Sequence, residues 1–320
     1  MAKSSRPPLQ SPTPHPGHCL THSHRKVFPT IYALTDSLSS IPSPLVSLGM
    51  KRAKPVNHLV IVPCHGIWKG GDPYQRESWH LAPFQIQGND HLCFIEHLQL
   101  AFDETAKDPS ACMVISGGET KQEAGPVAEA TSYFQLLEKM VPGPQKHRRI
   151  ILENRVTTEV HARDSFENVI YSICRFYELF QTYPTRITIV GFEFKRHRFL
   201  NLHLATALGL DKEKIVYLGN APSPSGLTSE ETLVYFKDID ANEKAHATDL
   251  FARDWYGTRE SLRAKKLKRN PFARRHHYAS SCPDLARFLE AIDDETDSDK
   301  SNEEIRELLK DVPWSLNNEI

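Results

Sequence analysis

The sequence predicts an α/β fold: a three-layer, Rossmann-like domain with a mostly parallel, doubly wound sheet and a helical C-terminal extension. Two observations carry this. Five short runs, at 58–63, 112–116, 149–153, 186–190 and 214–218, are β-branched and apolar on both parities, as suits strands buried on both faces. Between them lie stretches of helical period, with Phe94, Leu98, Ala101 and Phe102, then Val127, Ala130, Phe134 and Leu137, then Val169, Ile170, Ile173 and Phe180, then Leu200, Leu204 and Leu208. Strand and helix in strict alternation imply crossover connections, and the strands then end at one common edge, where such sheets bind ligands.

Residues 1–50 hold nine Ser and eight Pro but one acidic residue, Asp36, so they are expected to be a disordered extension. Their basic, Ser-rich character also resembles a mitochondrial transit peptide, although the prolines oppose the amphipathic helix of such peptides. Met50 stands just before the first strand and is an alternative start for the folded protein. The sheet domain is assigned to 57–222, a helical subregion to 223–290 and an acidic tail to 291–320. The basic run at 263–275 carries seven cations and the run at 290–299 six acidic residues, which reads first as a solvated face and an acidic linker.

Composition narrows the function classes. With 39 Lys and Arg against 40 Asp and Glu, the chain has a formal net charge of -1 and no global field to steer it to nucleic acid or anionic lipid. No stretch approaches the roughly 18 to 20 apolar residues that span a bilayer, so no membrane association is expected. The six cysteines lie far apart without a C-x-x-C pair and read as reduced core thiols of a cytoplasmic protein. There is no G-x-G-x-x-G after a strand, no Walker A sequence, no G-x-S-x-G elbow and no H-E-x-x-H. His276 and His277 lack cysteines at zinc-finger spacing, so no metal site is expected.

Four strand-end segments remain. After the first strand, His65 and Gly66 begin a glycine-bearing loop that lets backbone approach a ligand. After the second, Ser116, Gly117 and Gly118 suit an anion cradle, and Glu129 falls in the next helix's first turn, where the macrodipole also favours it. The third runs from Glu153 to Arg163, Glu167 and Asn168; Asp164 with Glu167 fits a capping box, which leaves Arg163 and Asn168 unexplained. In the fourth, Lys195, Arg196 and Arg198 crowd a helix N-terminus that disfavours cations by roughly 0.3 to 1 kcal/mol each. Glu193 offsets one, and a bound anion would offset the others.

Taken in order, the strand at 58–63, Ser116-Gly117-Gly118, Glu129-Ala130, Ser165-Phe166-Glu167-Asn168 and the segment 191–198 resemble the DUF218 family (YdcF/SanA/ElyC-like), and more closely its fungal cytosolic branch. The resemblance covers about 58–220 and implies a Rossmann-like fold with its site at the C-terminal strand edge. Bacterial members commonly carry His where Lys195 stands and Thr where Ser165 stands, and the transmembrane anchors of envelope members are absent here. The expected function is binding of a small anionic or nucleotide-like ligand, S-adenosylmethionine among those considered, with Gly117 and Gly118 as cradle, Arg163, Lys195 and Arg198 as clamps and Asn168 as orienter. For a hydrolase or transferase, Glu129, Glu153 and Glu167 are the acid–base candidates. The alternative is a non-catalytic interaction protein whose run 263–275 binds RNA or an acidic partner; with Phe272 the single interleaved aromatic, nucleic acid is the less favoured of these.

Overall fold

The computed structural model describes residues 55–141, 153, 155–293 and 300–314. The Ser/Pro-rich extension, Met50, most of the predicted strand at 149–153 and the acidic stretch 294–299 lie outside the described residues. Strands β1 (His58–Pro63), β4 (Ala111–Ser116), β5 (Val156–Glu159), β6 (Arg186–Phe192) and β7 (Ile215–Asn220) form one sheet in the order β5-β4-β1-β6-β7. All four pairings are parallel. A short antiparallel pair, β2 (Ile67–Trp68) and β3 (Trp79–His80), follows β1. The fold class is the one the sequence predicts. The chain steps outward from β1 to β4 and β5, then returns to the other side of β1 for β6 and β7, so the switch point lies between β1 and β6.

Two apolar clusters show why the strands read as continuous apolar runs. Leu59, Ile61, Val114 and Ile189 pack on one face with Phe166, Val169 and Ile173, while Val60, Val62, Ile115 and Val190 pack on the other with Phe94, Leu98, Tyr133 and Leu137. Each such side chain contributes roughly 1.5 to 3 kcal/mol by leaving water. Helices α1 (Asp90–Lys107) and α2 (Glu129–Met140) cover the second face, and α3 (Ser165–Phe180) the first. They are joined on the first face by α4 (Arg198–Ala207), a π-helix in which the Leu208 amide reaches back to the His203 carbonyl at 3.1 Å. Val127, expected on the buried stripe, lies before α2 and is exposed.

Two regions depart from the expected picture. The sheet's third strand in chain order is Val156–Glu159, and the strand expected at 149–153 lies almost wholly outside the described residues. As an edge strand, Val156–Glu159 tolerates the half-buried Thr157 and Thr158, and its register sets Glu159, not Glu153, beside Ser116 at the strand end. The predicted acidic tail also contains a helix, Asn302–Glu307, whose Ile305 is buried with Leu309 and Val312 in the first-face cluster. Leu285 and Phe288 of the helical subregion join the same cluster. Helix α5 (Ser229–Glu243) differs, since none of its 15 residues is buried. Helix α6 (Glu260–Lys268) completes the elements around the sheet's C-terminal edge. Among the described residues no helix is long and apolar enough to cross a membrane.

Candidate functional site

The parallel register brings the strand ends together: Pro63 beside Ser116, Ser116 beside Glu159 and Phe192 beside Asn220. Above this edge lies a cavity of about 820 Å3, within the range of small-molecule sites. His65, Glu129, Arg163, Asn168, Lys195 and Arg198 line it, and Tyr235, Ile239, Asn242 and Glu243 of α5 form its far wall.

The charge on Arg198 is met on one side only. The residue is 8% exposed, and its Nε lies 3.2 Å from Glu243 Oε1 without an aligned hydrogen bond. Lys195 has less: its Nζ lies 3.5 Å from His65 Nδ1 and over the rings of Phe192 and Phe194, at 5.0 and 5.6 Å. Burial, then the neighbouring Arg198, bring the Lys195 pKa down to about 7. Burial and then Lys195 hold the His65 imidazole well below its usual range, so it is neutral and accepts from Lys195. Its Nε2 is buried without a partner among the described residues, and the ring stacks on Phe192 at 5.3 Å. Arg196 turns away to Glu193, 2.8 Å, and to the Tyr217 carbonyl, 3.1 Å.

Carboxylates around the cavity are shifted towards their neutral forms. Asp90 rises to about 7 by burial, against the pull of Lys195, and burial also raises Glu129, whose carboxylate accepts from Thr120. Asp164 rises by burial and by its neighbour Glu167. By residue type the lining carries six Lys and Arg against four Asp and Glu.

Several expected ligand residues belong instead to the scaffold. The Gly117 and Gly118 amides donate to the carbonyls of Glu159, 3.0 Å, and Ala162, 2.7 Å, so they form no anion cradle. Their lack of a side chain serves close packing: a Cβ would stand 2.8 Å from Cys64 Cβ at Gly117 and 2.9 Å from the Ala162 carbonyl at Gly118. Gly66 likewise makes room for Phe94 and the His80 carbonyl. Ser116 is fully buried, donating to Glu159 Oε2 at 2.6 Å, and Asn168 donates to both the Ser116 carbonyl and hydroxyl at 3.0 Å. Arg163 grips Glu167 through Nε, 3.0 Å, and Nη2, 2.7 Å, and Lys266 approaches the same carboxylate at 3.5 Å. Burial alone would raise the Glu167 pKa, yet Lys266 and Arg163 hold it below the ordinary value, which suits a structural anion and not a proton donor. Asp164 caps α3 as predicted, accepting from the Glu167 amide at 2.9 Å, but the Glu167 side chain returns to the Arg163 amide, so the capping box is half formed. Glu193 is 49% exposed and outside the cavity lining. Glu153 precedes β5 at the opposite sheet edge, 3.7 Å from Arg155, and has no place at the site.

The run at 263–275 is divided between the interior and the surface, with Lys268, Arg269, Arg274 and Arg275 exposed. Lys266 is buried against Glu167, Lys265 donates to the His246 carbonyl, Arg269 donates to the Arg163 carbonyl, and Lys265 and Arg269 line the cavity.

Sequence reasoning missed three features. Glu159 accepts from Ser116 and the amides of His161 and Ala162, and burial holds it at about 7; the β-branched run before it is its one sequence signal. The Ser165 hydroxyl lies 2.8 Å from His203 Nε2 across 38 residues of chain, a pairing without sequence signal. His203 Nδ1 has no partner among the described residues, so the pair lacks the carboxylate of a Ser-His-Asp triad. The wall formed by α5 is the third. Cys64 at the cavity is no thiolate, because burial raises its pKa well above the ordinary range, and five described cysteines are free and buried. Among the described residues no group of three or more His, Cys, Asp or Glu could hold a metal ion.

In a comparison with known proteins, the chain is 36% identical to the uncharacterised protein YOR238W of Saccharomyces cerevisiae over 299 residues, covering 80% of this chain and 97% of the yeast protein. No family model and no solved structure matches the chain.

Proposed function

The chain belongs to the same family as the yeast protein YOR238W, and from that premise we propose that it binds a small anionic, nucleotide-like ligand in the cavity at the C-terminal strand edge. The observation that carries the reading is the Lys195 and Arg198 pair, drawn into a cavity of nucleotide size with Glu243 as the nearest compensating carboxylate. Charge-assisted bonds to a phosphate or carboxylate would complete Arg198, whose Nε is buried without an aligned hydrogen-bond partner among the described residues. Phe192, Phe194 and Tyr235 offer apolar surface for a ring system. The surplus of positive charge favours a net-negative ligand over S-adenosylmethionine, whose sulfonium and ammonium would add to it. The resemblance to the DUF218 group, with its site at this same edge, supports the reading. We also propose a cytoplasmic home, which suits the buried free thiols. For a hydrolase or transferase, Glu129 is the acid–base group that still faces the cavity.

A thermal-shift series with pyrophosphate, ADP, a sugar phosphate and S-adenosylmethionine tests this. Ligand at 100 times its dissociation constant adds about 2.7 kcal/mol of apparent stability. At least one phosphate ligand should raise the melting temperature, and Arg198→Ala, melting cooperatively, should lose that rise. No rise with any phosphate, or an equal rise in Arg198→Ala, overturns the proposal.

A further inference from the structure

Two lysines reach inward, Lys266 buried and Lys195 half-buried, and their surroundings differ. Lys266 meets the Glu167 carboxylate at 3.5 Å. Lys195 meets no carboxylate within 4 Å among the described residues; its Nζ faces the neutral His65 ring at 3.5 Å and the faces of Phe192 and Phe194. An ammonium in such a place gains little from being charged, while a free amine is well accommodated and opens onto the cavity.

We propose that Lys195 is a nucleophilic amine, forming a reversible imine with an aldehyde or ketone whose anionic end is held by Arg198. The inference rests on the anion-binding reading of the cavity and narrows its ligand to a carbonyl compound carrying phosphate or carboxylate. The Nζ lone pair adds to the carbonyl carbon, and one proton passes from the nitrogen to the former carbonyl oxygen to give a neutral carbinolamine. The hydroxyl then takes up a second proton and leaves as water as the C=N bond forms, and the nitrogen gives up its remaining proton to leave the neutral imine. One amine and one carbonyl give one imine and one water, with no net transfer of electrons or protons. His65 Nδ1 is the base nearest the nitrogen. The carboxyls of Asp90 and Glu129, kept protonated beyond the ordinary carboxylate range, line the same cavity as acids for the departing oxygen. The aromatic faces beside Nζ limit water at the imine carbon.

The charged and titratable groups acting on Lys195 come from every side. Burial, the largest influence, lowers its affinity for a proton together with Arg198 and Arg269, Glu243 and Asp90 raise it, and the resulting value is about 7. Imine formation should therefore rise through neutral pH and level off just above it, where an ordinary lysine, with a pKa of roughly 10.4, is still about 0.1% free amine at pH 7.5.

The test uses the full chain, pyridoxal 5′-phosphate as reporter aldehyde, borohydride to trap the imine and peptide mass mapping to locate it. Trapping at Lys195 should exceed that at any exposed lysine by about tenfold or more at pH 7.5. It should vanish in Lys195→Arg, weaken in Arg198→Ala and slow under inorganic phosphate. Pyridoxal, which carries the same aldehyde without the phosphate, should label Lys195 more slowly. Because the map is read within the wild-type protein, the result does not depend on a variant folding. Label spread evenly over exposed lysines overturns the proposal, and if phosphate ligands still raise the melting temperature, the anion reading survives alone. Equal labelling of Lys195 by both aldehydes, insensitive to phosphate, overturns the role given to Arg198.

Discussion

After β4 the chain turns every amide of Gly117 and Gly118 onto its own carbonyls, whereas after β6 it carries Lys195 and Arg198 to the cavity with their charges only partly met. Both loops follow apolar strands at the same sheet edge, and in sequence both look like ligand sites. The structure separates them. Glycine permits close approach of whatever is there, and after β4 this is the protein's own β5 loop, with Ala162 and Cys64 against the backbone. A half-buried cation without a carboxylate is a stronger mark of function, since its partial loss of water lowers stability and persists only where something offsets it.

The comparison has a third member, because in the cluster of Arg163, Lys266 and Glu167 two cations at the same edge share a buried carboxylate. The largest effect is expected there. Glu167→Gln leaves two buried cations without their anion and should cost about 3 to 5 kcal/mol in chemical denaturation. A loss under 1 kcal/mol would mean the cluster is solvated and the contrast with Lys195 does not hold.

Gly118→Ala probes the packing side. Its new methyl would stand 2.9 Å from the Ala162 carbonyl, backbone that cannot swing aside. A destabilisation of about 1 to 3 kcal/mol is expected, with the phosphate-induced thermal shift retained. Unchanged stability together with a lost shift would restore the glycine cradle and break the comparison.

The smallest effect is one of pH. Folded Asp90 keeps its proton to about 7, whereas in the unfolded chain it gives it up near the ordinary carboxylate value of roughly 3.9. The folded state binds more protons between these values, so this group's contribution to stability falls as pH rises through that window. Asp90→Asn removes the titration, and its stability relative to wild type should climb from about pH 4 to about pH 7 and then stay level. Denaturation midpoints of the two proteins across that range check it. A constant difference would place Asp90 in water and remove its influence on Lys195.

Much of the fold was legible in the sequence because burial on both faces leaves a plain signature. Strands at 58–63, 112–116, 186–190 and 214–218 match β1, β4, β6 and β7 closely. The sheet strand that the sequence did not mark is β5, at one edge of the sheet, where Val156-Thr157-Thr158-Glu159 is half polar and the apolar run before it was more conspicuous. With that strand went the strand-end carboxylate, read as Glu153 and found to be Glu159. The site was partly legible. Position in the chain marks a strand-end residue, but nothing local says whether its charge will be met from elsewhere. Arg163 and Glu167, four residues apart on one helix start, pair with each other and with Lys266, a hundred residues away. Lys195 and Arg198 look no different in sequence, yet only Arg198 finds a carboxylate, on α5.

What the sequence by itself determined is the layered α/β fold and the edge at which the loops gather, because alternating apolar periods dictate which faces must be buried. Which of the edge residues are structural and which stand open to a ligand was decided by the tertiary structure alone. Desolvation and charge pairing depend on the distances among residues from β1, β6, α5 and α6, and no pattern along the chain encodes those distances.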